Sequence, residues 1–360
     1  MKVAVDLRRN TWAPEYGISR YGRSLFGALQ RYAASTATDL TVRAIDLEGS
    51  RLWPAAQQLS VRSGQGMGRR MQQEQLDMRR IGPADADLLH LPWYEGPVVP
   101  RVPFVFVLHD LDTLVARATY RWRFRAYYNT LLRVYVRRAR RVITTSQASA
   151  SEIRARWPQL CIDVIPNGVD PIFTADGPGP VDAPGTPYVL YPGGYGPRKR
   201  LADLLSAFAV VRRTHPELQL VMTGTPPPEL RAQVHAAFPS GGVRFTGYVE
   251  DPELAAWYRG ATVVAYPSLL EGFGLPIIEG FASGAPVVAT AVGSIPEVAG
   301  GAARLVPVDD AAALAHALGG LVSSADARAE LVALGRERAR AFDWSSVAAA
   351  TVDTYRKALA

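Results

Sequence analysis

Hydrophobic and polar positions alternate along this chain in the way that is typical of strands connected by helices. Short apolar runs predict strands, and segments with apolar residues at helical spacing follow them. In the first half the predicted strands are residues 2–7, 41–47, 88–91, 104–109 and 142–145, and the predicted helices are residues 19–34 and 120–140. This repeated order of strand and helix predicts an α/β fold with parallel sheets.

A stretch rich in Pro, Gly and Asp, residues 166–187, interrupts the alternation. After it, strands are predicted at residues 188–191, 218–222, 243–246, 262–266, 287–290 and 304–306. We therefore expect two doubly wound domains, residues 1–170 and 171–343, and a final helix, residues 344–360, that returns to the first domain. Ligands of such folds bind beyond the carboxyl ends of the strands, so the loops that follow strands are the candidate sites.

Composition adds limits on cofactors and location. The chain has 360 residues, of which 48% are hydrophobic, and these suffice for two cores. The first residues read as a strand, no apolar run reaches the roughly 18 residues of a membrane span, and we expect a cytoplasmic protein. The lone Cys161 excludes an internal disulfide, agrees with a reducing compartment and is expected in the core. The net charge of +7 is modest for this length.

Two glutamates eight positions apart, Glu271 and Glu279, mark the most informative loop. The sequence places Glu271 between a strand and a helix, and Glu279 in the first turn of that helix, with Pro276 at its first position. Gly272 and Gly274 permit close approach of a ligand, and the helix start attracts an anion. Carboxylates beside an anion site are explained if the ligand also carries hydroxyls. A sugar nucleotide has both groups.

A second strand-to-helix turn carries Gly193 and Gly194, followed by Arg198 and Lys199. Glycines allow close backbone approach, and the two cations suit a diphosphate. A dinucleotide site is a weaker interpretation because the G-x-G-x-x-G spacing is absent. A solvated basic turn is the remaining alternative.

The first domain offers further candidates. His109 ends a strongly apolar strand, where it is placed to touch a substrate, although a structural histidine is the alternative. Asp110 and Asp112 have the spacing of a metal pair, but two carboxylates are a thin ligand set, and we expect no metal. Gly17 and the helix start near Ser19 can hold a phosphate or an acceptor oxygen.

Two segments leave alternatives open. The predicted helix over residues 120–141 is rich in arginine and aromatic residues, which suits either an anionic membrane surface or packing on the sheet with the arginines in water. Nucleic acid is not expected, since no recognition motif accompanies the arginines. Residues 60–80 predict a mobile loop with a short surface helix, or else a lid on the acceptor side.

Together, four motifs resemble those of retaining glycosyltransferases of family 4, also called group 1. They are the glycine turn with residues 197–199, the loop 271–276 with Glu279, the linker 165–170 and residues 17–21. The resemblance covers nearly the whole chain. It implies the GT-B fold, with two Rossmann-like domains facing a central cleft, a donor nucleotide held mainly by the second, an acceptor held mainly by the first, and neither a metal nor another cofactor.

The resemblance also implies roles. Arg198 and Lys199 would hold the donor diphosphate, Glu271 the sugar hydroxyls and Glu279 the ribose, while His109 would contact the transferred sugar or the acceptor. The other implied donor contacts are Gly17, Gly193, Gly194, Tyr248, Val249, Phe273, Gly274 and Leu275, and the candidate acceptor contacts are Arg20, Tyr21 and Asp110. One position departs from the family pattern, because Gly194 stands where many members have an arginine.

The sequence thus predicts a retaining hexosyltransferase that uses a nucleotide sugar, with GDP-mannose favoured. The expected acceptor is a glycan or glycolipid of surface polysaccharide synthesis, reached from the inner face of the membrane. Alternatives are transfer to a soluble natural product, a sugar-nucleotide epimerase or phosphorylase of the same fold, and a non-catalytic sugar-nucleotide sensor.

Overall fold

The computed structural model describes residues 1–12, 17–36, 39–54, 57–62, 67–111 and 122–360. These residues form two compact units. Unit 1 comprises Met1–Gly168 and Asp343–Ala360, and unit 2 comprises Val169–Phe342. The divisions predicted after residues 170 and 343 lie within two residues of these bounds.

The described residues of unit 1 form a parallel sheet of seven strands. The strands are β1 (Lys2–Asp6), β2 (Thr41–Leu47), β3 (Gln58–Val61), β4 (Leu88–Leu91), β5 (Phe104–Val107), β6 (Arg141–Thr144) and β7 (Ile162–Val164). Their order in the sheet is β3-β2-β1-β4-β5-β6-β7. The order reverses between β1 and β4, which pair in parallel at the centre.

Both faces of this sheet are covered, which explains why its central strands are apolar throughout. Val3 and Val5 of β1 belong to the core on one face, and Ala4 belongs to the core on the other. β5 divides in the same way, with Val105 on the first face and Phe104 on the second. Successive side chains of a strand point to opposite sides, so each central strand contributes to two cores.

The helices of unit 1 before the linker are α1 (Arg9–Trp12), α2 (Gly17–Ser35), α3 (Met67–Gln72), α4 (Trp122–Arg138) and α5 (Gln147–Arg156). α3 continues into a π-helical turn and a 3₁₀ turn that end at Arg80, and the buried Met78 anchors this run in the core. Residues 63–66 of the predicted mobile loop lie outside the described residues. The lid interpretation therefore stays a prediction.

Sequence patterns missed the two edge strands of this sheet. β3 and β7 have only four and three residues, and neither shows a continuous apolar run. Cys161 immediately precedes β7 and is exposed, so its predicted place in the core is wrong. An edge strand has one unpaired side, and its sequence is correspondingly more polar than that of a central strand.

The described residues of unit 2 form a parallel sheet of six strands. They are β8 (Tyr188–Tyr191), β9 (Gln219–Thr223), β10 (Val243–Gly247), β11 (Val263–Tyr266), β12 (Val287–Thr290) and β13 (Arg304–Val306), in the order β10-β9-β8-β11-β12-β13. The helices are α6 (Leu201–Arg212), α7 (Pro228–Ala237), α8 (Asp251–Gly260), α9 (Leu275–Ala282), α10 (Ile295–Ala299), α11 (Ala311–Ser323) and α12 (Ala325–Ala339). The strand order reverses between β8 and β11.

The last helix, α13 (Trp344–Leu359), belongs to unit 1. Asp343 caps it by accepting hydrogen bonds from the backbone of Ser345 and Ser346 at 3.1 and 2.9 Å. Its buried face includes Tyr355, whose hydroxyl lies 2.7 Å from Nδ1 of His90 in β4. Within the part of the chain that the structure describes, no helix combines the length and hydropathy needed to cross a membrane.

Candidate functional site

Two loops of unit 2 meet where its strand order reverses. β8 and β11 are neighbours at the centre of the sheet, and each leads into one of the loops that the sequence selects as a ligand site. Because the strands are parallel, both loops leave the same edge of the sheet. The backbone joins them, since the amide of Leu269 donates to the carbonyl of Arg198 at 2.7 Å.

The turn after β8 needs glycine at two positions. Gly193 and Gly194 have φ of 91° and 89°, in the left-handed region that disfavours residues with a Cβ. A Cβ on Gly194 would lie 3.2 Å from Cε of Lys199, so glycine leaves room for the lysine stem. A single 3₁₀ turn, Pro197–Lys199, then leads to α6. Both the backbone conformation and the Lys199 side chain therefore favour glycine at position 194.

The third cation of this turn, Arg200, is engaged within unit 2. It pairs with Asp203 at 2.9 Å and also with Asp309. Its backbone has φ of 48° at the start of α6. The charges of Arg198 and Lys199, by contrast, act on Glu271. These two residues are thus the cations that the turn contributes to the candidate site.

Lys199 and Glu271 form an ion pair at the centre of this site. Nζ of Lys199 lies 2.5 Å from Oε1 of Glu271, and the side chains are only 12% and 9% exposed. The ammonium also donates to the Tyr266 hydroxyl at 2.7 Å, and Ser268 Oγ donates to the same Glu271 oxygen at 2.7 Å. We call Lys199, Tyr266, Ser268 and Glu271 the lysine–glutamate cluster.

Glu271 is ionised at neutral pH. Burial raises the pKa of its carboxyl, but the charges of Lys199 and Arg198 and the hydrogen bonds from Lys199 and Ser268 together hold that pKa below its usual value. An ionised carboxylate accepts hydrogen bonds and donates none. The side chain is therefore suited to orienting hydroxyl groups and is poorly suited to general acid catalysis.

The loop after β12 fixes the backbone around Glu271. Gly293 has φ of 50°, and a Cβ there would lie 2.5 Å from the Glu271 carbonyl oxygen. The hydroxyl of the buried Ser294 lies 3.1 Å from that oxygen and 3.0 Å from the carbonyl of Phe273. The Phe273 ring itself packs in the core against Phe342. Phe273 can therefore serve a ligand through its backbone.

Glu279 lies deeper than the sequence indicates. Gly274 precedes α9 with φ of 98°, and Leu275 is the first helical residue. Pro276 is consequently the second residue of the helix, and Glu279 lies in its second turn, so the predicted first-turn position is wrong. Glu279 is 2% exposed, and the Tyr258 hydroxyl donates to its Oε2 at 3.0 Å.

The region expected to read the base follows β10. The amide of Gly224 donates to the carbonyl of Gly247 at 2.7 Å and thereby ties the end of β9 to the end of β10. Tyr248 comes next and is 57% exposed, whereas Val249 is partly buried against the core. Tyr248 therefore presents the more accessible side chain in this region.

In unit 1 the candidate contacts separate into accessible and buried residues. Gly17 is the first residue of α2, two positions earlier than the predicted helix start, and it is exposed. Arg20 and Asp110 are partly exposed. Tyr21 is only 3% exposed and packs edge-on against the ring of His109, with centroids 5.0 Å apart. Tyr21 is a core residue, and its contact with the acceptor stays a prediction.

His109 lies beyond the end of β5, which stops at Val107 and not at residue 109 as predicted. Its Nε2 is 3.0 Å from the carbonyl oxygen of Pro92, and because a carbonyl only accepts, Nε2 carries the proton. Burial lowers the pKa of the ring to about 4, opposed by the Pro92 hydrogen bond and assisted by the charge of Arg9. At neutral pH His109 is therefore uncharged, and its Nδ1 suits a hydroxyl donor better than a phosphate.

Metal ligands are not grouped in the described residues. No three His, Cys, Asp or Glu side chains lie together there as a metal ion requires. Asp112, the second member of the predicted Asp110–Asp112 pair, lies outside those residues.

Sequence reasoning missed several residues that the structure brings to these sites. In unit 2 they are Tyr266, Ser268, Gly293 and Ser294. In unit 1, Trp93 and Glu95 follow β4 at the point where the strand order reverses, beside Arg9. Residues 92–95 come directly after an apolar strand, so the rule that selected the other loops would also have selected this one.

α4 has the two faces that the sequence predicts. Tyr128, Leu131 and Tyr135 are buried against the sheet. Arginines 133, 137, 138 and 140, on α4 and just after it, are exposed.

The two units differ in net charge. Unit 1 carries 27 lysines and arginines against 16 aspartates and glutamates, a net charge of +11, whereas unit 2 carries 13 against 17, a net charge of −4. Only unit 1 therefore has a net positive charge.

Comparison with known proteins gives matches over both units. Residues 186–324 match the family model described as "Glycosyl transferases group 1", and residues 50–173 match the model "Glycosyltransferase Family 4". Among curated proteins, the phosphatidyl-myo-inositol mannosyltransferase of Mycolicibacterium smegmatis is 31% identical over 296 residues, which are 76% of this chain and 72% of that protein.

Two further relatives match in part. The O-antigen chain mannosyltransferase B of Escherichia coli is 32% identical over 63% of this chain, and the match spans 57% of that protein. The MMP alpha-(1->4)-mannosyltransferase of Mycolicibacterium hassiacum is 35% identical over 72% of this chain and 66% of that protein. The chain thus spans between about half and three quarters of the length of these relatives.

Solved structures share the fold along almost the whole chain. Sucrose-phosphate synthase from Thermosynechococcus elongatus has a TM-score of 0.77 at 22% identity and covers 99% of this chain and 98% of its own. HepE from Anabaena, solved with UDP and glucose, has a TM-score of 0.75 at 18% identity and covers 99% of each chain. The predicted GT-B type of fold, with two Rossmann-like domains, is confirmed.

Proposed function

The chain belongs to glycosyltransferase family 4, and from this premise we propose that it transfers a hexose from a nucleotide sugar to an acceptor hydroxyl with retention of configuration. The lysine–glutamate cluster is the observation that carries this proposal. It combines cations for a diphosphate with an ionised carboxylate for sugar hydroxyls, at the sheet edge where such folds bind nucleotides. A sugar-nucleotide sensor and a transferase for soluble natural products are the alternatives.

In the donor complex, Lys199 and Arg198 neutralise the leaving diphosphate, and the amide groups at the start of α9 assist them. An ammonium group has three donors, so Lys199 can hold Glu271 and contact a phosphate at once. Glu271 accepts hydrogen bonds from the hydroxyls of the transferred sugar. Glu279 accepts from the ribose, and this requires a shift that opens its buried carboxylate.

Departure of the nucleoside diphosphate leaves an oxocarbenium-like sugar. The acceptor hydroxyl then attacks from the face that the diphosphate leaves, and the departing phosphate takes the proton. Lys199 and Ser268 hold Oε1 of Glu271, and in this scheme the carboxylate orients the sugar, since attack from that face requires no protein nucleophile. No metal or other cofactor takes part in this scheme.

We favour GDP-mannose as the donor because three of the relatives described above are named as mannosyltransferases. Two of their names also support a glycolipid or surface polysaccharide as the acceptor. We assign the contact with the guanine base to the region of Tyr248 and Val249, in which Tyr248 is exposed.

A thermal-shift screen with GDP, UDP, ADP and dTDP tests the donor, since a ligand that binds only the folded protein raises its stability. We expect the largest increase in Tm with GDP. In a separate assay without an acceptor, we expect slow hydrolysis of GDP-mannose to GDP and free mannose. Binding without any hydrolysis would support the sensor. No response to any nucleotide would contradict the proposal as a whole.

We also propose that unit 1 contacts anionic membrane through the exposed arginines of α4, where a lipid-linked acceptor would be found. The net charge of +11 on this unit supports that contact. Sedimentation with phosphatidylglycerol vesicles, but not with phosphatidylcholine vesicles, is the expected result. An Arg137→Glu/Arg138→Glu variant should remain in solution. Equal sedimentation of this variant and the wild type would contradict the contact.

A further inference from the structure

We propose that Arg200 and Asp309 form a clamp that positions Lys199 for its contact with the donor diphosphate. This inference rests on the proposed function, because it assigns two positioning residues to the same reaction. Arg200 ends the 3₁₀ turn that carries Lys199, and Asp309 lies in the loop between β13 and α11. Both residues belong to unit 2, and their side chains form an ion pair.

The clamp joins two residues with an unusual backbone conformation. Over the part of the chain that the structure describes, Arg200 and Asp309 are the two residues other than glycine with a positive φ, at 48° and 60°. Aspartate tolerates this left-handed region better than most residues do, whereas arginine has no such advantage. Glycine would adopt it without that cost. Arginine at position 200 is therefore explained if its side chain makes interactions that glycine lacks.

The guanidinium of Arg200 makes two such interactions. Its Nε and Nη2 donate to the Asp203 carboxylate at 2.9 and 3.3 Å, and Nη2 also pairs with Asp309. Asp203 lies in the first turn of α6, directly after Arg200, so the first contact acts within one helix start. Asp309 belongs to a different loop. The second contact therefore links the turn after β8 to the loop after β13.

The partner loop is attached to the core of unit 2. The side chain of Asp310 caps α11 by accepting a hydrogen bond at 2.8 Å from a backbone amide in the first turn of that helix. Leu314 of α11 and Leu204 of α6 are buried in the same hydrophobic core. Packing therefore sets how the starts of the two helices lie relative to each other. Asp309, next to Asp310, is consequently a fixed partner for Arg200.

Arg200 is the joint between the turn that carries Lys199 and the anchored helix α6. The other side of the turn is held by the carbonyl of Arg198, which accepts a hydrogen bond from the amide of Leu269 at 2.7 Å. Because φ and ψ are the soft torsions of the backbone, a change in them at Arg200 would rotate the turn relative to α6. The clamp opposes this rotation and so keeps the ammonium of Lys199 on Glu271.

The exposure of the clamp limits its contribution to global stability. The side chains of Arg200 and Asp309 are 34% and 59% exposed, and exposed ion pairs add little to the stability of a folded protein. Reaction rates are more sensitive, because a small displacement of a group that contacts the reacting atoms lowers a rate strongly. Loss of the clamp should therefore lower turnover and leave Tm nearly unchanged.

The test variant is Asp309→Asn, because asparagine keeps the shape of the side chain and also tolerates a positive φ. The control is Glu337→Gln, which removes another exposed ion pair of unit 2, that with Arg340. In Asp309→Asn we expect faster hydrogen exchange of the amides of residues 198–201. We also expect kcat to fall about tenfold, with KM for GDP-mannose within about twofold, less than the roughly 10²-fold loss of a 1 Å misplacement. The control should change neither exchange nor kcat.

The same substitution in the Lys199→Met background separates positioning from a general structural role. A residue that acts through Lys199 loses its effect when the ammonium is absent, so Asp309→Asn should lower kcat there by less than about twofold. Unchanged exchange or unchanged kcat in Asp309→Asn, equal factors in both backgrounds, or an equal loss in the control would overturn the clamp. A Lys199→Met variant with normal turnover counts against the proposed function, whereas hydrogen exchange tests the clamp without any transfer assay.

Discussion

Replacing Lys199 by methionine is the sharpest perturbation of the lysine–glutamate cluster. The substitution keeps an unbranched side chain of similar size and removes the ammonium. Glu271, only 9% exposed, then loses its ion-pair partner and keeps the Ser268 hydroxyl as its hydrogen-bond donor within the cluster. The pKa of its carboxyl should rise, because burial then acts with less opposition.

Both stability and turnover should fall. Removing one partner of a buried ion pair costs about 3–5 kcal/mol, and we expect the lower end because both side chains retain some exposure. Turnover should fall by about 10²–10³-fold, which is the effect of removing one preorganised electrostatic contact to the leaving group. Thermal unfolding measures the first effect, and release of nucleoside diphosphate during transfer measures the second.

The double variant Lys199→Met/Glu271→Gln separates these effects. A neutral glutamine needs no counter-ion, so the double variant should regain stability relative to Lys199→Met. It should not regain turnover, because the cation at the diphosphate is still missing. Near-normal turnover of Lys199→Met, or recovery of turnover in the double variant, would refute the role assigned to this lysine.

Two further predictions concern backbone conformation and pH. Gly194→Ala and Gly49→Ala both place a Cβ at a φ above 80°, which costs about 1–2 kcal/mol, but only Gly194 lies against Lys199. We expect Tm to fall in both variants, and to fall at least as far in Gly194→Ala, where the Cβ also crowds Lys199. Transfer should fall only in Gly194→Ala, and equal transfer rates in the two variants would contradict the role assigned to this turn. Burial lowers the pKa of His90 to about 3 and that of His109 to about 4. The unfolded chain therefore takes up protons near pH 6.5, before the folded chain does, and Tm should fall as the pH drops from about 6.5 toward 4. A Tm that stays constant over this range would contradict the neutral state of both rings.

Much of this fold could be predicted from the sequence because buried parallel strands are nearly continuous apolar runs. The central strands β1, β4 and β11 were predicted to within one or two residues. β3 and β7 could not be found in this way, since short edge strands lack that signal. Helix boundaries were less certain. For example, α2 begins at Gly17, two positions before the predicted start at Ser19.

The candidate site could be located from the sequence, but its internal pairing could not. Glycine spacing and strand-following loops selected Lys199 and Glu271 independently. Sequence gives no distance between them, and their direct contact depends on the adjacency of β8 and β11, which only the strand order reveals. Tyr266 resembles any core residue of an apolar strand, so its hydroxyl contact to Lys199 had no signal. The roles of these side chains stay predictions.

The most direct test of the central claim compares two ligands on two proteins by isothermal titration. GDP and GDP-mannose are each titrated into the wild type and into Glu271→Gln, which keeps the shape of the side chain and removes its charge. We predict that the affinity for GDP is unchanged within error, whereas the affinity for GDP-mannose falls about tenfold, the scale of a hydrogen bond to a charged group. Unchanged affinity for GDP-mannose, or an equal loss for both ligands, would contradict the assignment of Glu271 to the transferred sugar.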